Sequence, residues 1–429
     1  MGTAQRIATD WDDGAVLRAV RTVLAAAILL CLLVTFEPFQ SQFEGPAFAG
    51  NAVNQIGYGL LAAAAVVCHL VFTPPPVLRA LLRPAWLVLA ALLVLSSFHS
   101  PWPDAALRAV FFTLAAMIAA SAVLTLPPDA ASFRMVLLAG AFGVLGLSYA
   151  GIVLLPGQAI HGGGGMEPQH AGLWRGIYSH KNVAGPVMAA LFFAGIYLVR
   201  CRMRAVGLAI CLLSCVFVLK TGSKTTLALL PAVSVLVIGA RILGGRLLPV
   251  LIVSAALVAM GLMTIGTVLS PTLHDLLQWL LPGTTFTGRL DIWRFALGVL
   301  GDRSWTGMGF ESFWTRPVIQ TAEIAIELTW DPRGIVNAHS GYLDLAIALG
   351  WPGLAIAMVS LALLPLRDFL RAGGDTERER LADLLLMILT FALLNAFLES
   401  FFLARANPIW VVMWLSIVGL RLLALRLRA

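Results

Sequence analysis

The chain has 429 residues, of which 59% are hydrophobic and only 12% charged, and its mean hydropathy is +0.89. So little polar surface cannot cover so much apolar surface in a water-soluble fold, which excludes the soluble enzyme classes and leaves a polytopic membrane protein. The net charge of +7 calls for no nucleic-acid partner, because the placement of the basic residues along the chain accounts for most of it.

Taken in chain order, apolar stretches long enough to cross about 30 Å of hydrocarbon fall near residues 16–36, 53–72, 84–99, 105–126, 134–155, 183–200, 205–220, 225–240, 247–270, 343–365, 381–403 and 408–426. The expected fold class is an all-α polytopic membrane protein, one integral domain over 1–429 with about twelve transmembrane helices. The first stretch lacks a small-residue cleavage site and many spans follow it, so it is expected to stay on the protein. Basic residues are retained on the cytoplasmic side of short loops. With both termini inside, that side receives most of the 29, including Arg83, Arg134, Arg200, Arg241, Arg246 and Arg421. The three lysines, Lys181, Lys220 and Lys224, run against this bias and fall at outer helix ends. The five cysteines lie within spans or at a cytoplasmic end, so neither an outer disulfide nor a zinc site is expected.

Two outer connections are long. Residues 156–182 contain the flexible "HGGGG", whose flanking His161 and His170 read as solvated loop residues; residues 271–342 are long enough to form a small external subdomain. Within the second, "GRLDIWRFALGVLGD" reads as an amphipathic helix with Leu290, Trp293, Leu297 and Leu300 at helical spacing, lying along the membrane surface or capping a cavity. "SWTGMGFESFW" then reads as a glycine-bearing turn, not a phosphate loop.

Spans beginning near Val183, Thr225 and Gly341 all present their N-termini outward, where a helix carries partial positive charge and unpaired N–H groups. Each is preceded by potential cations: Arg175, His180 and Lys181 in "WRGIYSHKN"; Lys220 and Lys224 in "KTGSKTT"; Arg333 and His339 in "DPRGIVNAHSGYLD". One such cation commonly snorkels to lipid head groups, but three coincident helix N-termini favour an anion site. Arg289 adds a fourth contribution if the amphipathic helix folds over the mouth. Ser340 can cap the third helix, placing His339 beside its positive end and favouring a neutral ring able to accept a proton; the alternative is a capping histidine without chemistry. There is no HExxH, nucleophile elbow, Walker A loop or outer Asp-x-Asp, and the outer acids Asp291, Glu311, Asp331 and Asp344 are dispersed. Cationic side chains, with no metal and no cofactor, are therefore expected to neutralise a leaving group.

"RGIYSHKN", "TGSKTTLALL", "GRLDIWRFAL" followed by "GMGFESFW", and "NAHSGYLDLAIALGWPG", in that order, resemble the O-antigen ligase and polymerase superfamily over about residues 170–365. The resemblance implies a fold similar to C-type glycosyltransferases, in the bacterial inner membrane with the active site facing the periplasm. It also implies a glycan donor linked to undecaprenyl diphosphate. The acceptor is the lipid A core oligosaccharide for a ligase, the preferred reading, or another glycan for a polymerase. Combined with the residues above, Arg175, His180, Lys181, Lys224, Arg289 and Arg333 would bind the diphosphate; Arg175, Arg289 and His339 would be catalytic, His339 as general base of a metal-independent, inverting transfer. The chain departs from the family's usual Ser-Arg at Ser223-Lys224, which keeps the charge but loses the bidentate fork. A transporter would instead need ionisable groups near the bilayer midplane.

Overall fold

The structure is a computed structural model describing residues 2–40, 52–163, 168–286, 288–314, 335–405 and 407–426, with only the backbone described for residues 2–13, 299 and 302. The chain enters as α1 (Gly2–Val34) and continues through α2 (Ala52–Phe72), a bent pair α3 (Pro75–Leu81) and α4 (Pro84–Ser97), α5 (Pro103–Thr125) and α6 (Ala130–Leu154). Next come α7 (Lys181–Arg200), α8 (Arg204–Thr221), α9 (Lys224–Gly244) and α10 (Leu247–Leu269). Two short helices, α11 (Pro271–Leu280) and α12 (Arg289–Leu300), precede α13 (Gly341–Arg371), α14 (Thr376–Asn395) and α15 (Pro408–Ala424). Proline starts α3, α4, α5, α11 and α15, where its missing N–H would have had no helical partner anyway. Among the described residues every regular element is helical, and the single antiparallel bridge joins Ile160 to Trp174.

Nine described helices are long and apolar enough to span a membrane, or ten if α3 and α4, bent by 49°, count as one. The last two of the expected twelve spans are helices of a different kind. α14 opens on Glu377, Arg378, Glu379, Arg380 and Asp383, and α15 has 17 residues. The apolar stretch 381–403 is not one helix: α14 stops at Asn395, and residues 396–407 run as turns to the start of α15.

α7 is the most buried span and packs closely on α8, because Gly195 and Gly207 remove side chains at their crossing. A Cβ built on Gly207 would sit 2.7 Å from the Gly195 carbonyl oxygen. α14 packs against α7, α9 and α15, whereas α9 and α10 are the least buried spans and turn large apolar side chains such as Ile242 and Leu243 outward, as lipid-facing surfaces do.

A second apolar cluster lies at one end of the bundle. Leu290, Trp293 and Ala296 of α12 pack there with Met308, Phe313, Ala338, Leu343 and Ile347. The apolar face of α12 is therefore spent on the protein, and the helix caps the N-terminal half of α13; it does not lie with that face on the membrane surface. At the opposite end, arginines expected on one membrane side gather against acids of α13 and α14. Arg83 meets Asp368 at 2.5 Å, Arg200 and Arg241 meet Asp383 at 2.9 and 3.1 Å, and Arg246 meets Glu379 at 3.3 Å.

Candidate functional site

The site end is organised around the N-terminus of α13. The segment before it is gripped from two sides: Trp293 Nε1 donates to the Ala338 carbonyl at 2.8 Å, and the Asp344 carboxylate accepts from Trp314 Nε1 at 3.0 Å and from the Ala338 N–H at 3.1 Å. Held this way, His339 adopts a left-handed φ of +48° and its N–H donates to Asn337 Oδ1 at 2.9 Å. Such a conformation in a non-glycine residue persists only where the surroundings over-determine it. Asp344 thus positions the turn.

Ser340 is the N-cap residue, yet its hydroxyl makes no capping bond. The Gly341 N–H instead donates to the carbonyls of Ala396 (2.8 Å) and Glu399 (3.1 Å). A Cβ at Gly341 would lie 2.9 Å from the Phe402 ring, so glycine permits this close approach. The start of α13 is therefore tied to the irregular segment 396–407, which delivers Glu399.

Glu399 is the residue that sequence reasoning missed. Its Oε1 accepts from Arg289 Nη2 at 2.7 Å, and its Oε2 accepts from Asn182 Nδ2 at 3.2 Å and lies 3.8 Å from His339 Nδ1. Burial alone would raise the Glu399 carboxyl; the facing His339 ring and the Arg289 guanidinium more than offset it and hold it below the ordinary carboxylate value. The carboxylate thus links the first turn of α7, the head of α12 and the entry to α13. The available signal was an acid near the far end of a predominantly apolar run.

The other predicted residues are placed around this cluster to different degrees. His180 is the N-cap of α7, its Nδ1 accepting the Asn182 N–H at 3.1 Å, and His161 Nε2 accepts the Lys181 N–H at 3.2 Å. The rings of His161, His170 and His180 meet edge-to-face with centroids 4.9–5.7 Å apart, so His161 and His170 are packed against the helix end and are not solvated loop residues. Arg175 is buried, and its Nη1 donates to the carbonyls of Gln40 (2.9 Å) and Ser179 (3.2 Å). Gly185 lets Ser223 and Thr226 approach α7 closely, which sets the N-termini of α7 and α9 side by side. Lys224 at the head of α9 is exposed, and Lys220 Nζ lies 6.0 Å from the Trp174 ring. Arg333 lies outside the described residues. Among the described residues, no three His, Cys, Asp or Glu side chains are grouped so as to hold a metal ion.

The glycine turn read in "SWTGMGFESFW" docks where α13 is interrupted. Gly350 is non-helical (φ 71°, ψ 176°), which leaves carbonyls of the preceding turn unpaired. The Met308 and Gly309 N–H groups take the Ile347 and Ala348 carbonyls at 2.7 and 3.2 Å, and the Trp351 N–H donates to the Ser304 carbonyl at 2.8 Å. Two cavities open beside this assembly, of about 410 and 560 Å³, and both are lined by Glu311 and Arg405, an ion pair at 3.8 Å. The smaller reaches Asn337, Gly341 and Ser400, next to His339 and Glu399.

Residues 186–358 match the family model described as O-antigen ligase. Over that stretch the chain is similar to the O-antigen ligase family. Members of that family are glycosyltransferase-like enzymes of O-antigen assembly, and the apolar helices of this chain make it a multi-pass membrane protein. No curated protein matches the chain. The matched stretch contains Lys224, Arg289, Arg333 and His339, while Arg175, His180, Lys181 and Glu399 lie outside it in sequence.

Proposed function

We propose that the protein is an O-antigen ligase that transfers polysaccharide from undecaprenyl diphosphate to the lipid A core oligosaccharide at the periplasmic face of the inner membrane. The observation that carries this reading is the grouping of Arg289, Glu399 and His339 where α7, α12 and α13 converge. Glu399 accounts for one edge of the Arg289 guanidinium; among the described residues its side chain has no other partner, so its remaining N–H groups are available to a diphosphate. Lys181 and Lys224 extend the cationic rim, with the His180 imidazole beside them at the head of α7; Arg333, outside the described residues, is proposed as a further ligand of the diphosphate. Arg175 adds charge from behind while holding the loop that positions them.

The step is a direct displacement. A hydroxyl oxygen of the acceptor attacks the anomeric carbon, the bond from that carbon to the diphosphate oxygen breaks, and the configuration inverts. The departing diphosphate takes the electron pair and is stabilised by Arg289 and the helix ends. The hydroxyl proton passes to His339 Nε2. Glu399 faces Nδ1, the arrangement in which a carboxylate holds the imidazole tautomer with its other nitrogen turned to the substrate, and the 3.8 Å gap is of the kind that closes on binding. Cationic side chains do the neutralising in this account, so transfer by purified protein is expected to continue in excess EDTA. Activity lost on chelation and restored by Mg²⁺ would assign that task to a metal.

The biological test is deletion of the gene followed by electrophoresis of lipopolysaccharide. Loss of the O-antigen ladder while lipid-linked polymer persists is the ligase outcome. A core carrying a single repeat unit would instead make the protein a polymerase, which uses the same donor chemistry on a different acceptor.

A further inference from the structure

The larger cavity at the site end is walled by a concentration of polar side chains that is unusual for this chain. Glu37, Gln40, Asn54, Gln55, Arg108 and Asn407 line it, contributed by the ends of α1, α2, α5 and α15. Some already form a network: Gln40 Nε2 donates to Glu37 Oε1 at 2.8 Å, and Asn54 Nδ2 donates to Glu37 Oε2. Two tyrosines complete the wall, Tyr58 and Tyr178, exposed by only 5% and 3%, and among the described residues neither hydroxyl has a hydrogen-bond partner. A buried hydroxyl left unpaired is unfavourable, so two of them on one cavity wall point to a molecule that fills their hydrogen bonds when it is present.

The chemistry of the wall narrows that molecule. Carboxylates and primary amides present paired acceptors and donors that match neighbouring hydroxyls, and a tyrosine hydroxyl can serve either way. Phe112 and the two tyrosine rings supply flat apolar surface beside them. Charges balance, Glu37 and Glu311 against Arg108 and Arg405, so the wall is suited to a hydroxyl-rich, largely neutral ligand and not to a bare anion. Glu311 and Arg405 also line the smaller cavity, which continues to the neighbours of His339 and Glu399. A chain of sugars lying in the larger cavity would therefore direct its end past the Glu311–Arg405 pair toward the base.

We infer that the cavity bounded by Tyr58, Tyr178, Glu37 and Arg108 is a saccharide subsite that holds the acceptor glycan, separate from the cationic rim that receives the donor. The identity of the saccharide as acceptor rests on the transferase reading above; the subsite itself rests on the unpaired hydroxyls and the polar wall.

The test uses full-length protein in nanodiscs and two probes: deacylated core oligosaccharide prepared from lipopolysaccharide that lacks O-antigen, and labelled undecaprenyl diphosphate glycan. Tyr58→Phe and Tyr178→Phe keep the rings and their packing while removing only the unpaired hydroxyls, and Arg405→Gln alters the junction. The two Tyr→Phe variants together are expected to weaken core-oligosaccharide binding about tenfold or more and to raise the acceptor KM in proportion, with kcat and donor binding close to wild type. Arg405→Gln is expected to raise the acceptor KM as well. Wild-type protein that does not bind the oligosaccharide, or Tyr→Phe variants that bind it as wild type does, would overturn the subsite and leave a cavity filled by water or lipid. Binding that is lost in the variants although wild type transfers nothing would keep the subsite and remove the ligase reading instead.

Discussion

A single carboxylate, Glu399, stands 2.7 Å from Arg289 Nη2 and 3.8 Å from His339 Nδ1, and its charge conditions what both can do. Because its carboxyl is held below the ordinary value, the folded state binds this proton less readily than the unfolded chain. The stability that Glu399 contributes is fully present above the ordinary carboxylate range and is lost as pH falls through the depressed value. The thermal midpoint of wild type should therefore exceed that of Glu399→Gln at neutral pH, and the gap should close on acidification; a gap that does not change with pH would show that shape, not charge, holds the segment. The partners separate by kinetics. His339→Ala is expected to lower turnover by roughly 10²-fold or more with donor binding nearly intact. Arg289→Ala should weaken donor binding as well as turnover, since its contact exists in ground and transition states alike. Single-turnover rates and donor binding distinguish them: loss of donor binding in His339→Ala would make His339 a diphosphate ligand.

Helices were legible wherever apolar runs met punctuation. The outward helix starts read near Val183, Thr225 and Gly341 fall at Lys181, Lys224 and Gly341, and the amphipathic helix read in "GRLDIWRFALGVLGD" forms as α12. What could not be read was where apolar residues bury. Phe397, Leu398, Phe401, Phe402 and Leu403 look like membrane-spanning residues, but they pack against protein in a turn segment, and hydropathy does not distinguish those surroundings. For the same reason Glu399 was hidden inside an expected span. Arg175 read as a cation at the mouth because the carbonyls it holds come from residues distant or unremarkable in sequence. The interruption at Gly350 is an element-scale feature that can be tested. A Cβ there would lie 2.4 Å from the Trp305 carbonyl oxygen at a φ of 71°, so Gly350→Ala should destabilise by on the order of 3 kcal/mol and uncouple the glycine turn from α13. Gly298→Ala, with nothing within 4 Å of the new methyl, is the control and should be neutral or slightly stabilising. Denaturation midpoints in detergent compare the two, and equal midpoints would remove the docking argument.

Across the whole molecule, charge is divided by purpose. One end spends its arginines on buried and half-buried acids of α13 and α14, as in Arg83–Asp368, and so is locked together; the other keeps lysines and histidines around helix N-termini and cavities. The short last helix connects these two ends. At 1.5 Å per residue, the 17 residues of α15 reach only about 25 Å, less than the roughly 30 Å of a typical hydrocarbon core. Its far end is moored, Arg421 lying 3.9 Å from Asp368, so the shortfall falls at the site end, where Asn407 and Arg405 border the larger cavity. α15 is itself buried among its neighbours and offers lipid little surface, so a mouth bordered by so short a helix is expected to lie deeper than the head groups of a thick leaflet. Membrane thickness is therefore expected to bear on catalysis. In vesicles of phosphatidylcholines with progressively longer acyl chains, transfer by the reconstituted protein should be fastest in the thinner bilayers and decline steadily as hydrocarbon rises over the mouth, while rates that do not vary with chain length would mean that the bundle carries its own depression in the bilayer at no expense.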